Sequence, residues 1–112
     1  METKRKQQRE HLANFHIAGF NYYDGALCFS KLKVGTKLEL EYEVDNKYDA
    51  RAVAIYYKGN KLGFIPRTEN RIFYKLVKMG YENALDVRIQ QIDATAHPEQ
   101  QISVVVHLLP QE

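Results

Sequence analysis

Two short stretches hold most of the side chains that could do chemistry: Gly19-Phe20-Asn21-Tyr22-Tyr23-Asp24-Gly25, and Asp45-Asn46-Lys47-Tyr48-Asp49-Ala50-Arg51-Ala52-Val53. Both are rich in aromatic and polar groups and read as loops. A tyrosine ring stacks on any nucleobase, each stack contributing about 1–3 kcal/mol, so such rings suit the gripping of a single strand. A carboxylate such as Asp49 repels backbone phosphate. It can nevertheless accept a hydrogen bond from a sugar hydroxyl and so favour a free strand end.

Other chemistry finds little support. His11, His16, His97 and His107 are scattered, and neither they nor Cys28 show the close pair spacing of a zinc site. Cys28 lies between Leu27 and Phe29 and reads as a buried thiol with no basic neighbour to stabilise a thiolate. Asp45, Lys47 and Asp49 alternate as in a calcium loop, but Lys47 falls on a ligand position and no downstream glycine follows. Asp45-Asn46-Lys47 also imitates the acid-x-lysine end of a metal-dependent nuclease, which is the rival enzymatic reading. No glycine-rich phosphate loop and no serine flanked by glycines occurs. The expectation is a binding module rather than an enzyme, with no cofactor and no metal.

These loops need elements to hold them. From Asn14 the period becomes two, with Phe15, Ile17 and Gly19 on one side, which predicts a first strand. Lys37 to Glu43 alternates Leu38, Leu40 and Tyr42 against Lys37, Glu39, Glu41 and Glu43, giving one core face and one acidic face. Ala52 to Tyr57, a turn at Lys58 to Lys61, and Leu62 to Ile65 predict a hairpin. Pro66 ends it, Thr68 can cap a helix, and Gly80 marks that helix's end. Within it Ile72, Phe73, Leu76 and Met79 are expected to face the core, while Arg67, Arg71, Lys75 and Lys78 form a basic stripe. Leu85 to Ile92 and Gln101 to Leu109 predict two more strands, joined by the polar segment Asp93 to Gln100. About six short strands and one main helix suggest a mainly β fold, a small OB-like or SH3-like barrel closed by the helix.

The chain has 112 residues, 45% hydrophobic and 27% charged, which is the size and composition of one folded domain. Residues 1–12 carry Lys4, Arg5, Lys6 and Arg9 and are expected to be a basic flexible arm or short helix, with residues 13–112 as the folded unit. A net charge of +2 does not by itself signal nucleic acid. One cysteine allows no internal disulfide, and no apolar leader follows Met1, so a reducing cytoplasm is expected. No apolar run approaches the roughly 20 residues that span a bilayer, so no membrane partner is expected.

The glycine-x-x-tyrosine-tyrosine-x-glycine loop, the asparagine-x-tyrosine-aspartate-x-x-alanine-valine segment and Leu62-Gly63-Phe64-Ile65-Pro66-Arg67, in this order, resemble a HIRAN domain from about Phe15 to Leu109. The resemblance implies an OB-like module that binds single-stranded DNA ends, notably the 3′-hydroxyl, in repair, replication or mobile-element processing. It implies that Tyr22 and Tyr48 stack on terminal bases, Asp49 binds the terminal hydroxyl, Asn46 shapes the pocket and Arg67 contacts phosphate, with Tyr23 and Phe64 completing the wall. Such domains are often attached to helicase-like ATPases. No motor is fused to this chain, so a separate ATPase or nuclease partner is implied.

The sequence departs from that pattern at Asn21, where DNA-end-binding members can place arginine, and at Asp24, which adds an acid to the same loop. Both changes weaken attraction for phosphate. They keep open a second function class, a protein-interaction barrel without DNA affinity. For the tyrosines the alternative is a half-buried barrel residue, and for Asn46 and Asp49 it is an Asx-turn or loop cap.

Overall fold

The protein is described by a computed structural model covering residues 8–111. Six strands form: β1 (Glu10–His16), β2 (Glu39–Tyr42), β3 (Val53–Tyr57), β4 (Asn60–Phe64), β5 (Leu85–Ile92) and β6 (Ile102–Leu108). A one-turn helix α1 (Gly25–Cys28) follows the first aromatic loop, and the main helix α2 (Asn70–Lys78) follows β4. Strand β1 begins at Glu10, before the expected Asn14, because Glu10 and His11 pair with Leu108 and His107 of β6. Part of the expected basic arm is thus strand, and its residues 1–7 lie outside the described residues.

The strands make two antiparallel sheets, ordered β1-β6-β5 and β2-β3-β4. The mainly β architecture is as expected, but the ladder does not close into a continuous barrel. Instead the sheets share one core and touch at two seams. At one, Ala18 and Phe64 exchange main-chain bonds of 2.8 Å in both directions. At the other, Lys37 bridges Arg88 and the Leu38 amide donates to the Val87 carbonyl at 2.8 Å. The first seam depends on Gly63, whose φ is +152° and whose place would set a Cβ 2.3 Å from the Ala18 oxygen. Only glycine lets β4 run that close to the chain leaving β1.

Both sheets contribute to the core. Ile17, Val53, Ile55, Leu62, Ile89, Val104 and Val106 are buried, each stabilising by roughly 1.5–3 kcal/mol relative to exposure. Phe73 of α2 meets Phe15 of β1 edge to face, with ring centroids 5.8 Å apart, which docks the helix on that core. The β3–β4 hairpin turns on Lys58 and Gly59, both at positive φ, the geometry of a two-residue turn matched to strand twist. It is tighter than expected, since β4 already starts at Asn60.

Helix α2 differs from its sequence reading at its N-terminus and in its buried face. Its N-cap is Glu69 with no side-chain cap bond, not Thr68. Its C-terminus is as read: Gly80 takes φ +85°, the Tyr81 amide bonds to the Leu76 carbonyl at 2.8 Å and the Gly80 amide to Val77 at 3.1 Å, a Schellman arrangement. Ile72 and Met79, expected in the core, are exposed. The buried face is Asn70 and Phe73, with Leu76 and Val77 packed at its edge. No helix among the described residues is long and apolar enough to cross a membrane.

Candidate nucleic-acid interface

The loop between β2 and β3 is held open by its own polar side chains. Asn46 Oδ1 accepts from the amides of Tyr48 at 2.8 Å and Asp49 at 2.9 Å, and its Nδ2 donates to Glu43 Oε1 at 3.1 Å. Asp49 Oδ1 accepts from the Arg51 amide at 2.9 Å. The Tyr42 hydroxyl donates to the Ala50 carbonyl at 3.1 Å, and Arg67 Nη2 donates to the Tyr48 carbonyl at 2.8 Å. The Asx-type turns considered from the sequence are therefore present, and their effect is to fix the backbone around Tyr48. With its main chain tied on both sides, the Tyr48 side chain projects outward at 85% exposure, so it is not a half-buried barrel residue.

A second anchor comes from the helix. Asn70, 1% exposed, donates from Nδ2 to Asp49 Oδ2 and to the Arg51 carbonyl, both at 2.9 Å. Its Oδ1 is buried with no hydrogen-bond partner among the described residues. Turning the amide over would set Oδ1 against two acceptors, so its orientation is fixed by chemistry. The unpaired acceptor costs about 1–3 kcal/mol, which the two bonds from Nδ2 must offset. Arg67 Nε stands 3.8 Å from the same Asp49 Oδ2, with most of the guanidinium in solvent.

The opposite wall is aromatic. Tyr23 and Phe64 meet edge to face at 5.6 Å, and Lys61 Nζ lies 4.6 Å from the Tyr23 centroid and 4.4 Å from that of Phe64. Lys61 also pairs with Glu43. Cation–π attraction and the ion pair together brace both rings from behind. Glu43 is thus drawn inward, a departure from the acidic face expected for Glu39, Glu41 and Glu43. Gly19, at φ +73°, starts the aromatic loop, and its amide is held by Glu99 Oε2 at 2.8 Å.

Between these walls lies an open cavity of about 230 Å³. Of the eight residues singled out in the sequence, six line it: Tyr23, Asn46, Tyr48, Asp49, Phe64 and Arg67. Asn21 and Tyr22 do not, and Tyr22 stands in solvent at 78% exposure. Asn70, Lys61 and Glu43 were missed. Asn70 carried one usable signal, a polar residue three positions before Phe73 and therefore on the buried stripe.

Reactive chemistry elsewhere is muted. Burial, then the neighbouring Asp24 carboxylate, raises the Cys28 thiol above its ordinary range. Burial, then Arg9 and His11, lowers the His107 imidazole. Among the described residues no three His, Cys, Asp or Glu side chains gather as a metal site.

The HIRAN domain family model matches residues 11–108. A crystal structure of a protein from Lactobacillus plantarum superposes with a TM-score of 0.76, over 93% of this chain and 98% of that one, at 24% identity. That likeness concerns the fold. No curated protein matches the chain. With the three motifs set around one cavity and the family model running from β1 to the end of β6, the chain belongs to the HIRAN domain family.

Proposed function

We propose that this domain recognises the 3′-hydroxyl end of single-stranded DNA in the cavity between Tyr48 and the Tyr23–Phe64 wall. Family membership supports single-strand binding, since HIRAN domains are binding modules for single strands and their 3′ ends and are not catalytic by themselves. The observation that carries recognition of the hydroxyl is Asp49: a carboxylate in the cavity lining, with an exposed tyrosine ring in the same lining and an arginine 3.8 Å away. An acceptor, a stacking surface and a cation at this spacing match the terminal hydroxyl, the base and the phosphate of a strand end.

In this reading Tyr48 stacks on the terminal base and Tyr22, outside the cavity, on a neighbouring one. Asn46 keeps the loop in shape, Tyr23 and Phe64 form the wall, Arg67 meets phosphate, and Asn21, like Tyr22, contacts the strand from outside the cavity. The domain works in the cytoplasm on ends exposed by repair, replication or mobile-element processing, with motor or nuclease activity supplied by a separate partner. Fluorescence anisotropy with a labelled oligonucleotide, titrated from low to high salt, tests the DNA-binding part. Salt-sensitive binding is expected, and no binding even at low salt would favour the protein-interaction barrel.

A further inference from the structure

We propose that Asn70 is the positioning residue for end recognition: from the first turn of α2 it holds Asp49 in its hydroxyl-accepting orientation and keeps it from closing onto Arg67. The inference rests on the reading of Asp49 given above.

Asn70 is buried and does not line the cavity. If its place required only packing, an apolar side chain would fill it without leaving Oδ1 unpaired. The polarity is accounted for by Nδ2, and both bonds of Nδ2 end on the loop that carries Asp49. One carboxylate oxygen is fixed by the Arg51 amide and the other by Asn70, so the plane of the group is set from both sides. A carboxylate offers about four lone-pair sites, so two hydrogen bonds leave capacity for a ligand donor.

Arg67 is the competitor. Its Nε is 3.8 Å from Asp49 Oδ2, too long for a hydrogen bond but close enough to become one if the carboxylate turned. Such a collapse would use up the acceptor for the hydroxyl and the cation for phosphate in each other. Asn70 opposes it by holding Oδ2 from the helix side, so that the carboxylate does not turn toward Arg67.

The test is the ratio of dissociation constants for 3′-phosphate and 3′-hydroxyl strands, measured by anisotropy for wild type, Asn70→Ala, Asp49→Ala and the double variant. Wild type is expected to prefer the hydroxyl by about tenfold or more. Asn70→Ala is expected to bring the ratio below about threefold, and to change it no further in the Asp49→Ala background. A general loss of structure would weaken both ligands equally and leave the ratio alone. Should Asn70→Ala not fold, as judged by circular dichroism, Asn70→Ser is read the same way; failure of both to fold counts against the proposal. A discriminating wild type whose folded Asn70 variant still discriminates overturns this inference alone. A wild-type ratio near one overturns the end-recognition reading itself.

Discussion

Arg67 Nη2 donates to the main-chain carbonyl of Tyr48 at 2.8 Å, so the cation at the cavity mouth and the backbone beneath the most exposed ring are one mechanical unit. The side chain is largely in solvent, and apart from its Nε lying near Asp49 its remaining donors make no hydrogen bond among the described residues. Arg67→Ala is therefore expected to weaken single-strand binding in two ways, by losing a phosphate contact and by loosening Tyr48. The salt dependence should fall by roughly 0.7 per lost phosphate contact. Lys78→Ala, on the last turn of α2 where the amine sits over the Tyr74 ring, is expected to change neither affinity nor slope. Equal effects from both would indicate a diffuse basic surface.

The acids of β2 divide into two groups. Glu39 and Glu41 are exposed, while Glu43 is half-buried against Lys61. Glu39→Gln with Glu41→Gln is expected to alter strand affinity by less than about tenfold, or 1.4 kcal/mol. Glu43→Gln removes the partner of the ammonium that braces Tyr23 and Phe64, and a larger loss is expected there. Affinity measured on the folded variants separates the cases.

Gly63 should be the least replaceable glycine. Gly63→Ala would force a Cβ against the Ala18 oxygen at a backbone angle that side chains rarely adopt, with an expected cost of about 3 kcal/mol or more. At Gly59, also at positive φ but with open space around it, alanine is expected to cost only about 1–2 kcal/mol. Urea denaturation midpoints for the two variants give the comparison.

The depressed His107 imidazole gives a pH signature. Burial and the charges of Arg9 and His11 hold its folded pKa below 6.5, so the unfolded chain binds the proton more readily. Stability from this group is therefore complete above about pH 6.5 and declines as the pH falls below that value. The melting temperature is expected to drop between pH 7 and pH 5.5, and His107→Gln should flatten part of that drop. An unchanged slope in the variant would assign the acid sensitivity elsewhere.

Much of this was legible in the sequence. The strands appear as period-two alternation around Phe15 and over Lys37 to Glu43 and as a β-branched and aromatic run at Ala52 to Tyr57, and Pro66 and Gly80 mark where the hairpin and helix stop. The loops around Tyr22 and Asp49 stand out because their composition suits no core. Asn70 was not legible as a site residue, because its burial comes from the β2–β3 loop folding against α2, a contact between segments about twenty residues apart. Ile72 and Met79 satisfy helical periodicity yet face solvent. The helix buries a narrower stripe centred on Phe73, and the rest of the apolar arc has no sheet beneath it. Lys61 and Glu43 escaped for a similar reason, since their side chains meet diagonally over the sheet, eighteen residues apart in sequence and out of ladder register, and neither position is unusual alone.

The proposed division of labour, in which Asp49 senses the strand end and Tyr48 grips the strand, is tested by measuring wild-type affinity for hydroxyl-ended, 3′-phosphate-ended and circular single strands. A free hydroxyl can donate to the carboxylate, whereas an ionised phosphate cannot and sets charge against charge. Rejection of the phosphate end by at least about 1.5–3 kcal/mol is expected. Asp49→Asn should narrow that gap, and Tyr48→Ala should weaken hydroxyl-ended and phosphate-ended strands about equally. Equal wild-type affinity for all three strands would contradict end recognition even if the domain binds DNA.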